Sequence, residues 1–499
     1  MRQGPLAGRY PAVASMVVFA LVPYLALSGA LGPITPTIAS DLHMSMQTFS
    51  LGSGMANAAY AVGTILAVQF AALLPQRRMM VLYAILLVIG SVLTASAQNA
   101  TMFIAGHMLQ GLCTSLLLIA AAPPLFLGFP ADKLKPSAVI MNMCIFGAVA
   151  LGPLIGGVQA SAHAWRPLFW IVAGISATAL LLTVLTFEDA PPADPTAPKD
   201  PLAIILAAVG AGAAFFGASQ LESHAFLSWI TFAPLIGGLA VIVALIVNQV
   251  TRERPLLTIR GLVTSTIPVA GLVIALFAAA ASVSATELTS TMLTPLHSPL
   301  HLGLLFLPEF AGAVISGIAL GVVLRHRSLQ YLPLVGMILL AAGIVAFVVQ
   351  LPTSQTMTLV GSGLTGLGLG ATVAPALFVA GFSVRASNLQ RVFAIVELLR
   401  AVAAFMIAPV FAHFASTVGS QPYGGIGTAL WIGAGLALGG AVIAVTLYLV
   451  RGARPAAPDI ELFLSGEDAA WYSPPLIPDR RELVAAGSSG PMAEDAAGR

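Results

Sequence analysis

The sequence predicts an all-α integral membrane protein that crosses the bilayer fourteen times, and three observations carry that prediction. Composition is the first: of 499 residues 58% are hydrophobic and only 8% are charged, and the mean hydropathy is +0.96. A soluble surface of this size needs far more charge to stay in water. The second is the clustering of apolar residues into fourteen runs, most about 20 residues long, the length of a helix that spans the hydrocarbon core. The third is charge placement. With fourteen spans counted, every one of the 21 Lys and Arg residues except Arg166 and Arg400 falls on the side of the N-terminus. Loops rich in Lys and Arg stay inside, so both termini are expected in the cytoplasm. One helix more or fewer scrambles the pattern.

The runs lie near 14–38, 51–73, 79–97, 101–127, 138–160, 167–187, 202–219, 228–250, 264–287, 302–324, 331–350, 356–382, 390–414 and 428–450. The first lacks a small-residue cleavage site and continues as a full span, so it reads as a retained helix. Cys113 and Cys144 both sit in apolar runs, which argues against a disulfide framework. The net charge of +2 is dispersed, so nucleic acid is not an expected partner. No nucleotide-binding motif, HExxH, GxSxG or Cys/His cluster is present. The chain is therefore not expected to be an enzyme, and no catalytic residue, metal site or cofactor is assigned.

Taken in order, the first span carries Pro33 and Pro36 in GALGPITPTIASDL, predicting a broken outer half. Such a break suits either a packing kink or a pathway lining. The loops AALLPQRRMM after span two and GVVLRHRSLQ after span ten are alike, a weak internal repeat of the kind found in pseudo-symmetric transporters. In span four His107, Gln110 and Thr114 share one face at i, i+3 and i+7. Polar groups there should look inward. His107 suits a hydrogen-bonded packing role or, given the usual histidine pKa, a proton carrier. Span five holds GAVALGPLIGG, Gly147 to Gly157. Ala148, Gly152, Gly156 and Ala160 recur every fourth residue, a small-residue ridge for close helix packing, and Pro153 removes one backbone donor.

The Pro-rich stretch EDAPPADPTAPKDP divides the chain after six spans, and TRERP follows span eight. The expected layout is a six-helix bundle over 1–187, a linker with inserted helices over 188–255, and a second bundle over 256–450. In span nine Ser284, Glu287, Thr291 and Thr294 form a polar stripe. Glu309 follows Pro308 in span ten, and Glu397 and Arg400 stand at i, i+3 in span thirteen. A lone charge inside a bilayer costs about 2.5–3.5 kcal/mol on insertion scales. Glu397 and Arg400 therefore read as an intramembrane ion pair or a gate latch. Glu287 and Glu309 lack a local basic partner and read as functional, or as solvated groups near the outer interface. The run GSGLTGLGLGATVAP in span twelve has no P-loop Lys and reads as close packing. The tail over 451–499 is Pro-, Ala- and Gly-rich and is expected to be a mostly disordered cytoplasmic segment, with the patch around Trp471 and Tyr472 a candidate for docking on the inner face.

Several of these segments resemble one family, the major facilitator superfamily, in its fourteen-span drug:proton antiporter branch. GAVALGPLIGG resembles that branch's fifth-helix antiporter motif, with Gly147, Gly152, Pro153, Gly156 and Gly157 in place. HMLQGL, WRPLFW, RERPLLTIRG and LGLLFLPEFAG resemble segments at or before spans four, six, nine and ten, and Arg400 in ELLRAVAAF stands where an arginine is usual. The resemblance implies two six-helix bundles plus two inserted helices, rocking about a central cavity in the cell (inner) membrane. It implies export of small hydrophobic or amphipathic compounds by proton antiport, with substrate, protons and lipid as partners and a monomer as the unit. The chain departs from the family at three points. His107 replaces the fourth-helix arginine, LLPQRR lacks the acid of the inner-loop motif, and span one lacks its acidic residue. Glu287 and Glu309, then His107, are therefore the expected proton carriers, with Gln110, Thr114, Ser284 and Thr291 lining the cavity. The alternatives are a facilitator or metabolite exporter with altered coupling, or a non-transporting sensor or scaffold on the same fold.

Overall fold

A computed structural model describes residues 4–187, 199–257, 259–349, 354–418 and 424–476. Among these residues fourteen helices are long and apolar enough to cross a membrane: α1 (Tyr10–Asp41), α2 (Met46–Leu73), α3 (Gln76–Ala95), α4 (Ala100–Phe126), α5 (Ala131–Ser161), α6 (Arg166–Thr186), α7 (Pro201–Glu222), α8 (Trp229–Thr251), α9 (Thr266–Leu293), α10 (Pro299–Val323), α11 (Leu332–Val349), α12 (Gln355–Phe382), α13 (Ala386–Thr417) and α14 (Gly424–Val450). The apolar runs dictate this because a backbone in lipid must satisfy its own hydrogen bonds. Large apolar side chains such as Val243 and Val247 on α8 point away from the protein, as a lipid face requires.

The packing repeats itself. In the first bundle α1 lies against α5 and α6, α2 and α3 lie against α4, and α3 lies against α6. In the last six helices α9 lies against α13 and α14, α10 and α11 against α12, and α11 against α14, in the same order. The bundles meet along two seams, α2 with α13 and α5 with α10, which the same repeat interchanges. The inserted α7 and α8 pack on each other, and α7 leans on α2. A polar knot holds them there. Asp200, 1% exposed, donates its N–H to Gln69 Oε1 of α2 at 2.8 Å. Its carboxylate takes Gln249 Nε2 at 2.8 Å and pairs with Arg252 at 2.7 Å.

Two expectations are corrected. α1 is not broken at Pro33 and Pro36; it runs unbroken to Asp41. The two prolines free only the carbonyls of Gly29 and Gly32, and the fixed φ of proline is itself helical. The tail is not disordered as far as residue 476. A short helix α15 (Ile460–Ser465) forms, and Phe463 and Trp471 are buried. Burial of these two side chains with Ile460 and Ala470, together with backbone hydrogen bonds to neighbouring helix ends, favours an ordered stretch. The docking expected around Trp471 is present. Most of the Pro-rich linker (188–198) and the end of the tail (477–499) lie outside the described residues.

Candidate functional site

Helix α5 is packed backbone to backbone on two sides. A Cβ on Gly152 or Gly156 would strike the backbone of Gly29 and Ala30 on α1. A Cβ on Gly157 would strike Pro299 and Leu300 at the start of α10, in the other bundle. Pro153 lacks the N–H that would bond Val149, and the Val149 carbonyl faces Gly29. One turn earlier, Met143–Gly147 widens into a π-helical turn, a feature that marks functional helices more often than chance. Gly147 lies beside Met143 and Phe310. In that turn's approach Asn142 reaches across the seam. In the amide orientation that pairs both groups, its oxygen accepts from Gly317 N and its nitrogen donates to Gly370 O, each at 3.2 Å.

The glycine run of α12 serves packing, as its composition predicts. Gly361 and Gly368 meet α11, whereas Gly363, Gly366 and Gly370 meet α10. Gly366 lies directly on the backbone of Glu309. Glu309 is 4% exposed and, among the described residues, has no ion-pair partner. Its carboxylate accepts from Thr286 Oγ1 of α9, at 3.4 and 3.5 Å. The next residue along α9, Glu287, is exposed, and so are Thr291 and Thr294 on the same face. Ser284 is buried, with no partner for its hydroxyl among the described residues. The predicted α9 stripe is thus split between an open outer part and a sealed inner residue.

Glu397 and Arg400 are paired on α13. Arg400 Nε donates to Glu397 Oε2 at 2.9 Å, and a second guanidinium nitrogen donates to Oε1. Across the seam Tyr60 of α2 donates its hydroxyl to Glu397 Oε1 at 2.7 Å. The trio is buried, and Glu397 also borders a small cavity with Leu118, Ile119, Met141, Ile145, Leu377 and Phe393, from both bundles. The sequence offered no pointer to Tyr60, nor to Thr286 or Asn142, because their partners lie on other helices.

His107 stays inside the first bundle. Its Nδ1 lies 3.3 Å from Gln110 Oε1, and its ring sits against Tyr24 and Phe103. Gln110 is engaged by α3, donating to Ser91 Oγ at 3.1 Å and accepting from Thr94 at 3.4 Å. Thr114 is buried, and among the described residues its hydroxyl has no partner. His107 thus faces α1 and Gln110 faces α3, and among the described residues no hydrogen bond joins either to Glu287 or Glu309.

The two ends of the molecule differ. At the end that carries Arg9, called proximal here, the ring of Phe126 on α4 packs edge-on against Phe378 of α12 at 5.1 Å and Phe393 of α13 at 5.9 Å. Gln390 donates to the Ile119 carbonyl, and Arg325 to that of Ala131. All four contacts join one bundle to the other. Towards the distal end, Gly32 and Pro36 of α1 and Glu287 and Thr291 of α9 are exposed.

A family model described as Major Facilitator Superfamily matches residues 17–327. The chain is similar to the multidrug resistance protein B homolog of Mycobacterium tuberculosis, 26% identical over 303 residues that cover 58% of this chain and 54% of that protein. It is also similar to the lincomycin resistance protein LmrB of Bacillus subtilis, 27% identical over 177 residues, 35% of this chain and 36% of that one. The matches thus span about half, or less, of the curated relatives' length. The human organic anion transporter MFSD10 (TETRAN) shares the fold, with a TM-score of 0.61 at 14% identity, covering 87% of this chain and 99% of that one. With the family model covering more than half of its residues, and with paired six-helix bundles meeting at two symmetric seams, the chain belongs to the Major Facilitator Superfamily, whose members are membrane transporters and not enzymes.

Proposed function

We propose that the protein exports small hydrophobic or amphipathic compounds by proton antiport, with the bundles 1–187 and 256–450 rocking about the cavity between them. The segment 188–255 rides at the side. Both termini are cytoplasmic, in the cell membrane, and a monomer is the working unit. The observation that carries the reading is Glu309. A carboxylate sealed from water with no cation costs several kcal/mol, so its protonation is linked to whether its surroundings are open. Glu287, one residue beyond Thr286 on the exposed face of α9, is the group that exchanges protons with water. His107 ranks third, because it is held within the first bundle. Closure at the proximal end, with exposed positions at the other, supports an outward-facing state of an alternating-access cycle. A ligand shifts such a cycle only through its preference for one state. The multidrug and lincomycin resistance names of the relatives support the compound class.

The test is substrate-driven proton flux in proteoliposomes, with a panel that includes lincomycin. An imposed pH gradient is expected to drive uptake, and Glu309→Gln to reduce the coupled flux to background while leaving substrate binding. Full coupling in both Glu309→Gln and Glu287→Gln would remove them as carriers. A second reading, a facilitator with altered coupling, is favoured by the engagement of His107 with Gln110 where the family places an arginine. Substrate movement indifferent to the gradient supports it.

A further inference from the structure

The segment after α14 turns back across the proximal end and joins elements of both bundles. On the second bundle it completes two helix termini. Pro474 O accepts from the Thr266 N–H and hydroxyl, both at 2.9 Å, and Ser473 Oγ accepts from Ile267 N–H at 3.0 Å. These are first-turn donors of α9, which its own N-cap, Ser265, leaves without a side-chain acceptor. At the end of α12 the Phe382 carbonyl accepts from Ala470 N–H at 2.8 Å, and Ser383 Oγ accepts from Trp471 Nε1 at 2.7 Å. On the first bundle α15 lies against the turn Ala131–Lys133 at the start of α5. Arg325 binds the Ala131 carbonyl there and also lines a groove with Asp459, Ile460 and Glu461. The aromatic contacts form one chain. Phe126 of the first bundle meets Phe378, Phe378 meets Phe382 at 5.7 Å, and Phe382 meets Phe463 at 5.0 Å and Trp471 at 5.9 Å.

We infer that residues 459–476 are a strap that recognises the closed proximal end and sets how often that end opens. The inference rests on the rocking-bundle reading above. If the bundles part at the proximal end, the contacts to α9 and α12 survive, because they lie within one bundle. The strap's contact with Ala131–Lys133 on the first bundle does not. The strap therefore binds the closed state better than the open one, which is the condition for shifting a population. Its bonds to the α9 and α12 termini hold it on the second bundle throughout.

The test uses spin labels at Arg78→Cys and Ser387→Cys, exposed proximal positions on the two bundles, in the full chain. The native Cys113 and Cys144 are buried. A second pair, Arg78→Cys with Arg9→Cys, lies within the first bundle, away from the turn that the strap touches, and reports its integrity. Deletion of 455–499, and separately Trp471→Ala with Phe463→Ala, is expected to raise the long-distance population about fivefold or more, the scale of ordinary allosteric coupling, with the second pair unchanged. Where the deletion broadens the second pair, the double substitution decides. Two distances in the same proportions with and without the strap would overturn the strap alone. A single distance in every variant, with and without substrate and at every pH, would overturn the strap and the rocking together.

Discussion

At the scale of single residues, the governing fact is that a charge inside this protein must be answered. Arg400 and Glu397 answer each other, and Tyr60 takes part from the opposite bundle. Removing one member of a buried pair strands the other and typically costs about 3–5 kcal/mol, whereas replacing both is often neutral. Arg400→Met alone is therefore expected to lower the unfolding midpoint in detergent sharply. Arg400→Met with Glu397→Gln should recover most of the loss. Additive losses would show that the pair is not a unit. The spacing of these two residues was legible because both are on one helix. Tyr60 was not, because 337 positions separate it from Glu397. Arg166 shows the same limit. Its isolation on the distal side stood out in the sequence, but its work did not. It binds Asp41, which also takes Trp165 Nε1 at 3.0 Å, and donates to Ala97 O at 3.0 Å, so it ties together the distal ends of α1, α3 and α6.

At the scale of elements, glycine sets how near two helices can come. The ridge on α5 was readable from its spacing of four, and the α12 run from its glycine content. Which neighbour each glycine meets was not readable, since neighbours are set by the bundle. Gly152 and Gly156 face α1, whereas Gly157 faces α10 across the seam. Gly152→Val is therefore expected to destabilise the first bundle by about 1–3 kcal/mol, the usual cost of overpacking, seen as a lower melting temperature. Gly157→Val should instead slow transport more than it lowers stability. Gly174→Ala, with open space around its Cβ, is the silent control. Equal behaviour of all three in melting and transport assays would contradict the two-sided role of α5. The unbroken α1 shows propensity overruled. Its prolines signal a break, yet both flanking glycines and the surrounding bundle accept a continuous helix.

At the scale of the molecule, the seams decide what moves. The knot of Asp200, Gln69, Gln249 and Arg252 fastens α7 and α8 to α2. Gly54 of α2 is so placed that its Cβ would stand 3.5 Å from Ser219 Cβ of α7, within the range of a disulfide. Oxidising Gly54→Cys with Ser219→Cys is expected to leave transport largely intact, because both helices travel together. Oxidising Val139→Cys with Gly321→Cys joins α5 to α10 near the proximal end and should arrest it until the bridge is reduced. Arrest by the first bridge, or free transport with the second, would place the moving boundary elsewhere. The repeat was only hinted at in the sequence by two similar basic loops. In the structure it orders the strongest helix contacts within each bundle and the two seams between them.

The sequence by itself determined the number of spans and the class of fold, because lipid demands about 20 apolar residues per helix and each run can be counted locally. It also determined that the α5 and α12 ridges pack closely, since a repeat of four on a helix is a face. Only the tertiary structure decided which groups meet: Glu309 sealed beneath Thr286, Tyr60 on Glu397, His107 kept within its own bundle, and the tail laid across the proximal end. Most of those contacts join different helices, and local sequence carries no record of a partner that arrives only when helices pack.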